Sequence, residues 1–154
     1  MGRAIYVSSV NGDDANSGYA PEKAFRSLRK VNQMEIQPGD QILLERGSVF
    51  AGEYLHLYKG GTKEAPVVVD AYGEGALPRI EADGNGIWYQ NYGGHLDNVV
   101  HTWKGYLSSA VLLYDAEYIT VRNLEITNDP LVKNERMNQA DRMNRTGVSV
   151  IAQN

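Results

Sequence analysis

Cysteine is absent from this sequence of 154 residues, which excludes a disulfide framework, a thiolate metal site and a cysteine nucleophile. No run approaches the roughly 18 apolar residues of a membrane-spanning helix, and Met1-Gly2-Arg3 leads straight into Ala4-Ile5-Tyr6-Val7 without a signal-peptide apolar stretch. No membrane partner is expected, and any export signal is absent or removed. Positive charge is also scarce: 15 Lys and Arg against 19 Asp and Glu give a net charge of −4. That is the wrong sign for gripping nucleic-acid phosphates, so no nucleic-acid partner is expected either. Phe occurs only 2 times and Pro 5, against 16 Gly and 10 Tyr. This balance, with abundant asparagine, favours short strands and tight turns over long helices. A hydrophobic share of 42% and a charged share of 22% fit one folded unit with its own core.

Along the chain, Ile5-Tyr6-Val7 alternates as a strand and runs into the turn Asn11-Gly12-Asp13-Asp14-Ala15-Asn16-Ser17-Gly18. That turn has the look of a Ca²⁺ loop but lacks the closing glutamate. Pro21 suits a helix start, and Phe25, Leu28, Val31 and Met34 recur every three residues, which predicts an amphipathic helix over 21–34 ending before Pro38-Gly39. From residue 41 the pattern changes to strand-length runs carrying the apolar pairs Ile42/Leu44, Leu55/Leu57, Val67/Val69 and Ile80/Ala82. Later come Val111/Leu113, Ile119/Val121 and Leu124/Ile126, the last two pairs separated only by Arg122-Asn123. A two-residue hairpin would favour Asn-Gly, whereas Arg-Asn fits a sharp bend with Asn123 left-handed. The reading is therefore an all-β solenoid.

These residues resemble the right-handed parallel β-helix superfamily of carbohydrate-active proteins, the pectate-lyase-like fold. The resemblance is carried by Ile5-Tyr6-Val7-Ser8 with the turn that follows it, by Gln37-Pro38-Gly39-Asp40, by Gly60-Gly61-Thr62 through Ile80, and by Tyr118-Ile119-Thr120-Val121-Arg122-Asn123-Leu124-Glu125-Ile126. It implies a right-handed parallel β-helix with an N-terminal capping α-helix. The single domain over 1–154 would divide into an entry strand and capping helix (1–40), early coils (41–83), an aromatic insertion (84–108) and further coils (109–154). The implied function is that of the N-terminal part of an exported bacterial enzyme, secreted, periplasmic or on the cell surface, that degrades or modifies a polysaccharide as glycoside hydrolase or polysaccharide lyase. The competing reading is a non-catalytic protein for carbohydrate binding or surface attachment. The stretch alone is expected to be inactive, and an uncapped last coil predicts self-association.

The least coil-like segment, residues 84–108, holds both tryptophans and two of the three histidines. Aromatic faces stack on sugar rings, so Trp88, Tyr89, Trp103 and Tyr106 are candidate substrate contacts, with Arg136 from the polar stretch 128–145 for an anionic sugar. The alternative is a lid packed on the flank of the fold. His95 and His101 with Asp97 between them offer acid/base groups, and Asp115 and Asp129 are further carboxylate candidates. No tight metal-ligand spacing occurs, and no cofactor is implied unless the enzyme is a lyase. A lyase would call for Ca²⁺ on carboxylates with an Arg or Lys base, such as Arg122 with Glu125.

Overall fold

The computed structural model describes residues 2–91, 104–129 and 144–153. Among these, helix is confined to one 3-10 turn at Pro21–Lys23 and to α1 (Leu28–Asn32). The remaining elements are β1 (Ala4–Val7), β2 (Gln41–Glu45), β3 (Val49–Ala51), β4 (Leu55–Leu57), β5 (Val67–Tyr72), β6 (Arg79–Glu81), β7 (Ile87–Asn91), β8 (Lys104–Tyr114), β9 (Ile119–Val121), β10 (Glu125–Thr127) and β11 (Asn144–Ile151). The protein is all-β in class.

The strands form three sheets, ordered β1-β2-β5-β9, β3-β6-β10 and β4-β8-β11, each with parallel neighbours. From β2 onward the chain visits the first sheet, then the second, then the third, and repeats that order. Registers align apolar residues into columns: Ile5, Ile42, Val69 and Val121 in the first sheet, Phe50, Ile80 and Ile126 in the second, Leu57, Leu113 and Val150 in the third. Nearly all of these join one core cluster, and burying such side chains at roughly 25 cal/mol per Å² of apolar surface is the main source of stability.

The two ends of this stack differ. At one end Phe25, Leu28, Val31 and Ile36 close over the core. At the other, among the described residues, β9, β10 and β11 are each the last strand of their sheet, and Val148 and Val150 are 49% and 68% exposed.

The helix expected over 21–34 is cut to Leu28–Asn32. Phe25 is instead a bridge partner of Val7: its amide donates to the Tyr6 carbonyl (2.9 Å) and its carbonyl accepts from Ser8 (2.8 Å). The amides of Arg26 and Ser27 donate to the Asp14 carboxylate, both at 2.9 Å. Backbone groups committed in this way cannot extend a helix. From Ile87 onward the described part of the expected aromatic insertion is strand: β7 pairs antiparallel with β8, placing Tyr89 opposite Tyr106.

Bends follow the predicted chemistry more closely. Asn123 is left-handed (φ 57°), and its side-chain amide donates to Asp70 at 2.8 Å. Asn128 accepts from the Gly84 amide (2.9 Å) and donates to the Thr146 carbonyl (3.0 Å), tying a bend to β11. Arg122 does not pair with Glu125: it pairs with Asp70 at 2.8 Å, while Glu125 pairs with Arg79 at 3.0 Å. In the first turn, Asp14 also accepts from the Ser27 hydroxyl (2.7 Å) and Asp13 from the Ala15 amide (2.9 Å), so these carboxylates hold the loop.

Candidate functional site

Three segments enclose an open groove of about 550 Å³: Glu35, Ile36, Gln37 and Pro38 after α1; Tyr58, Lys59, Gly60 and Gly61 after β4; and Asp115 and Glu117 between β8 and β9. The last two segments touch through backbone. The Gly61 amide donates to the Glu117 carbonyl at 2.9 Å, and a Cβ on Gly60 would lie 1.9 Å from that same oxygen. Only glycine permits so close an approach.

Asp115 is left-handed (φ 47°), and its amide donates to the Ile151 carbonyl (2.8 Å). Its carboxylate accepts from the Gln153 amide at 2.5 Å. The Gln153 side chain donates to the Asn91 carbonyl (2.7 Å) and accepts from the Tyr114 hydroxyl (2.6 Å), so one residue fastens the ends of β7, β8 and β11 beside the groove.

Lys59 reaches across to Glu35 at 2.5 Å, and that hydrogen bond holds the Glu35 carboxyl below its usual range. The Tyr58 ring lies 5.8 Å from that of Tyr114. Residues carrying three carboxylates, an ammonium and an exposed aromatic ring thus line one space. Such a set can hydrogen-bond sugar hydroxyls, stack a pyranose face and supply acid and base to a glycosidic bond.

The residues singled out from sequence fall in different places. Asp115 lines the groove. Asp129 is exposed, and its carbonyl accepts from Arg145 at 2.7 Å. Tyr89 and Tyr106 are exposed and in ring contact. Trp88 is not a surface stacking face: it is buried, packs with Leu112 and Ile151, and donates its indole N–H to Ser109 Oγ at 2.8 Å. Trp103, His95, Asp97, His101 and Arg136 lie outside the described residues. Among the described residues no group of three or more His, Asp or Glu side chains could hold a metal ion.

Sequence reasoning passed over Glu35, Tyr58 and Glu117, whose meeting depends on three distant turns. It also passed over His56. Strand alternation sets His56 opposite Leu55 and Leu57, yet it is buried, with Nε2 donating to the Ser109 carbonyl at 2.8 Å. Burial holds its pKa below the usual imidazole range, against the raising effect of that bond. An accepting carbonyl fixes the proton on Nε2.

No family model matches the chain. It is 39% identical over 177 aligned positions to the lacto-N-biosidase of Bifidobacterium longum subsp. longum, an alignment covering 99% of this chain and 11% of that protein. Two crystal structures of the GH136 lacto-N-biosidase from Eubacterium ramulus superpose on it. The selenomethionine derivative gives TM-score 0.92 at 55% identity, covering 100% of this chain and 25% of that one. The native protein gives 0.87 at 54%, covering 95% and 23%. A rhamnogalacturonan lyase matches at TM-score 0.52 and 14% identity over 80% of this chain and 28% of its own, a likeness of fold alone.

These findings overturn the resemblance to the pectate-lyase-like superfamily. The high identity, sustained over the whole chain, is to glycoside hydrolases, and the lyase expectation falls with it. The physical reason is that alternating strands and αL bends report how a chain turns, while chemistry depends on side chains brought together from distant turns.

Proposed function

We propose that this chain is part of a glycoside hydrolase of the lacto-N-biosidase kind, acting outside the cell on an oligosaccharide. We propose also that its three sheets are successive faces of one solenoid, whose turns bring the groove segments together. The observation that carries the reading is 55% identity over the full length of the chain with a solved lacto-N-biosidase. In this reading Glu35, Tyr58, Lys59, Asp115 and Glu117 contact the saccharide. Glycoside hydrolysis uses two carboxyl groups, one protonating the leaving oxygen and one acting as base or nucleophile. Glu117 and Asp115 are the pair to test.

A second reading, binding without cleavage, is favoured by the commitments of two groove carboxylates: Glu35 is held by Lys59 and Asp115 by Gln153. One experiment separates the two. Hydrolysis of the p-nitrophenyl glycoside of lacto-N-biose is followed alongside calorimetric binding of lacto-N-biose, for the 154-residue chain and its Asp115→Asn and Glu117→Gln variants. Turnover that both variants abolish supports the hydrolase reading. Binding without turnover makes the groove a binding surface, as the second reading has it, and a folded chain that neither binds nor cleaves overturns the assignment of this groove in both readings.

A further inference from the structure

The β7–β8 hairpin carries a feature that the groove does not use. Trp88 is anchored inward by the Ser109 hydroxyl and by Leu112 and Ile151. Because successive side chains of a strand point to opposite faces, anchoring Trp88 sends Ile87 and Tyr89 outward, and both are exposed. The antiparallel register then sets Tyr106 directly across from Tyr89. Their rings sit 5.1 Å apart at 67°, the edge-to-face geometry that aromatic pairs prefer. Each ring holds the other in place, yet they remain 49% and 66% exposed. Beside Tyr106 is a niche of about 40 Å³ lined by Gln90, Gly105, Leu107 and Asn144, with no charged side chain among them.

We propose that this face is a carbohydrate-contacting platform, separate from the groove, on which a neutral sugar residue stacks against the tyrosine pair. The pre-oriented pair offers one ring face for stacking, buttressed by the edge of the other ring, at little cost in side-chain entropy. Asn144 supplies an amide group suited to hydroxyls, and the niche has room for a group the size of a hydroxymethyl. The neutral lining selects an uncharged sugar over a uronic acid. The platform shares no lining residue with the groove. The inference deepens the oligosaccharide reading above and rests on it for the class of ligand.

The test is saturation-transfer-difference NMR on the 154-residue chain, with lacto-N-biose as probe and galacturonic acid as charged control. The wild type should transfer saturation to the ring protons of lacto-N-biose and not to the control. The Tyr89→Ser/Tyr106→Ser double variant should weaken binding about tenfold, from the roughly 0.5–1.5 kcal/mol that each aromatic contact supplies. Tyr106→Trp should keep the signal, and Asp115→Asn should leave the hairpin component in place, so that failure of the groove and failure of the platform are distinguishable. The proposal is overturned if the double variant, folded by circular dichroism, binds as the wild type does. It is equally overturned if transfer is absent from the wild type, or if the double variant changes only self-association.

Discussion

Asp40 is the most completely enclosed carboxylate described here, and the loss of its charge has a calculable cost. Its side chain is 1% exposed, and Arg3 opposite is 33% exposed. One carboxylate oxygen accepts from the Arg3 amide and Nε, both at 3.1 Å, and the other from Arg3 Nη2 (2.6 Å) and the Gln37 amide (2.9 Å). Burial alone would raise this carboxyl, but these hydrogen bonds outweigh it and hold the pKa below the usual range. Asp40→Asn removes the charge and turns an amide N–H₂ toward groups that are all donors. Breaking a buried pair from one side costs about 3–5 kcal/mol. Because Arg3 can regain water on its open side, the lower figure applies, about 3 kcal/mol. In a domain of this size that lowers Tm by roughly 6–12 °C. Urea denaturation should show the same loss at an unchanged m-value. As a control, Glu35→Gln breaks the pair with Lys59, in which both partners are exposed, and should leave the midpoint where it was. A loss below about 1 kcal/mol for Asp40→Asn, or equal effects of the two substitutions, would refute the argument from burial.

Three further outcomes follow from the geometry. His56 is kept neutral by burial, so the unfolded chain, titrating near pH 6.5, takes up a proton that the native state resists. Its contribution is complete above that value and lost as pH falls toward the depressed native pKa. Chemical-denaturation midpoints measured between about pH 7 and pH 5 should therefore drop more steeply for the wild type than for His56→Gln, and equal slopes would contradict this. Gly60→Ala, which sets a Cβ 1.9 Å from the Glu117 carbonyl, should separate the two groove walls and, under the function proposed above, weaken lacto-N-biose binding more than it lowers Tm. Calorimetry beside a thermal melt reads both. Val148 and Val150 of β11 are exposed, so light scattering should show association of the wild-type chain that Val148→Lys/Val150→Lys reduces.

Much of the core was legible because strand alternation is a local signal. Ile42, Leu44, Leu55, Leu57, Val67, Val69, Ile80 and Ala82 are all buried as their pattern requires. Phe25 misled because a spacing of three also suits a residue that bridges to β1, and only the tertiary partner Tyr6 decides between them. Phe50, at the centre of the three-residue strand β3, sits in a run too short to show periodicity. Trp88 and Tyr89 read alike as aromatic loop residues. The hydroxyl of Ser109, 21 positions away, turns one of them inward. The groove was the least legible part, because Glu35, Tyr58 and Glu117 come from segments with no common motif.

The one-to-one columns of the sheets also constrain how such a chain can be edited in evolution. The connection from β1 to β2 runs from residue 8 to residue 40, and that from β2 to β3 only from 46 to 48. Ile5 nevertheless stands opposite Ile42, and Ile42 opposite Val69. Connections can therefore lengthen or shrink freely as long as each strand returns to its row. A single residue gained inside β5, by contrast, would turn the side chains beyond it from core to solvent. Insertions that diversify binding surfaces are accordingly confined to the rims, and the strands can change only in the identity of their residues, not in their number.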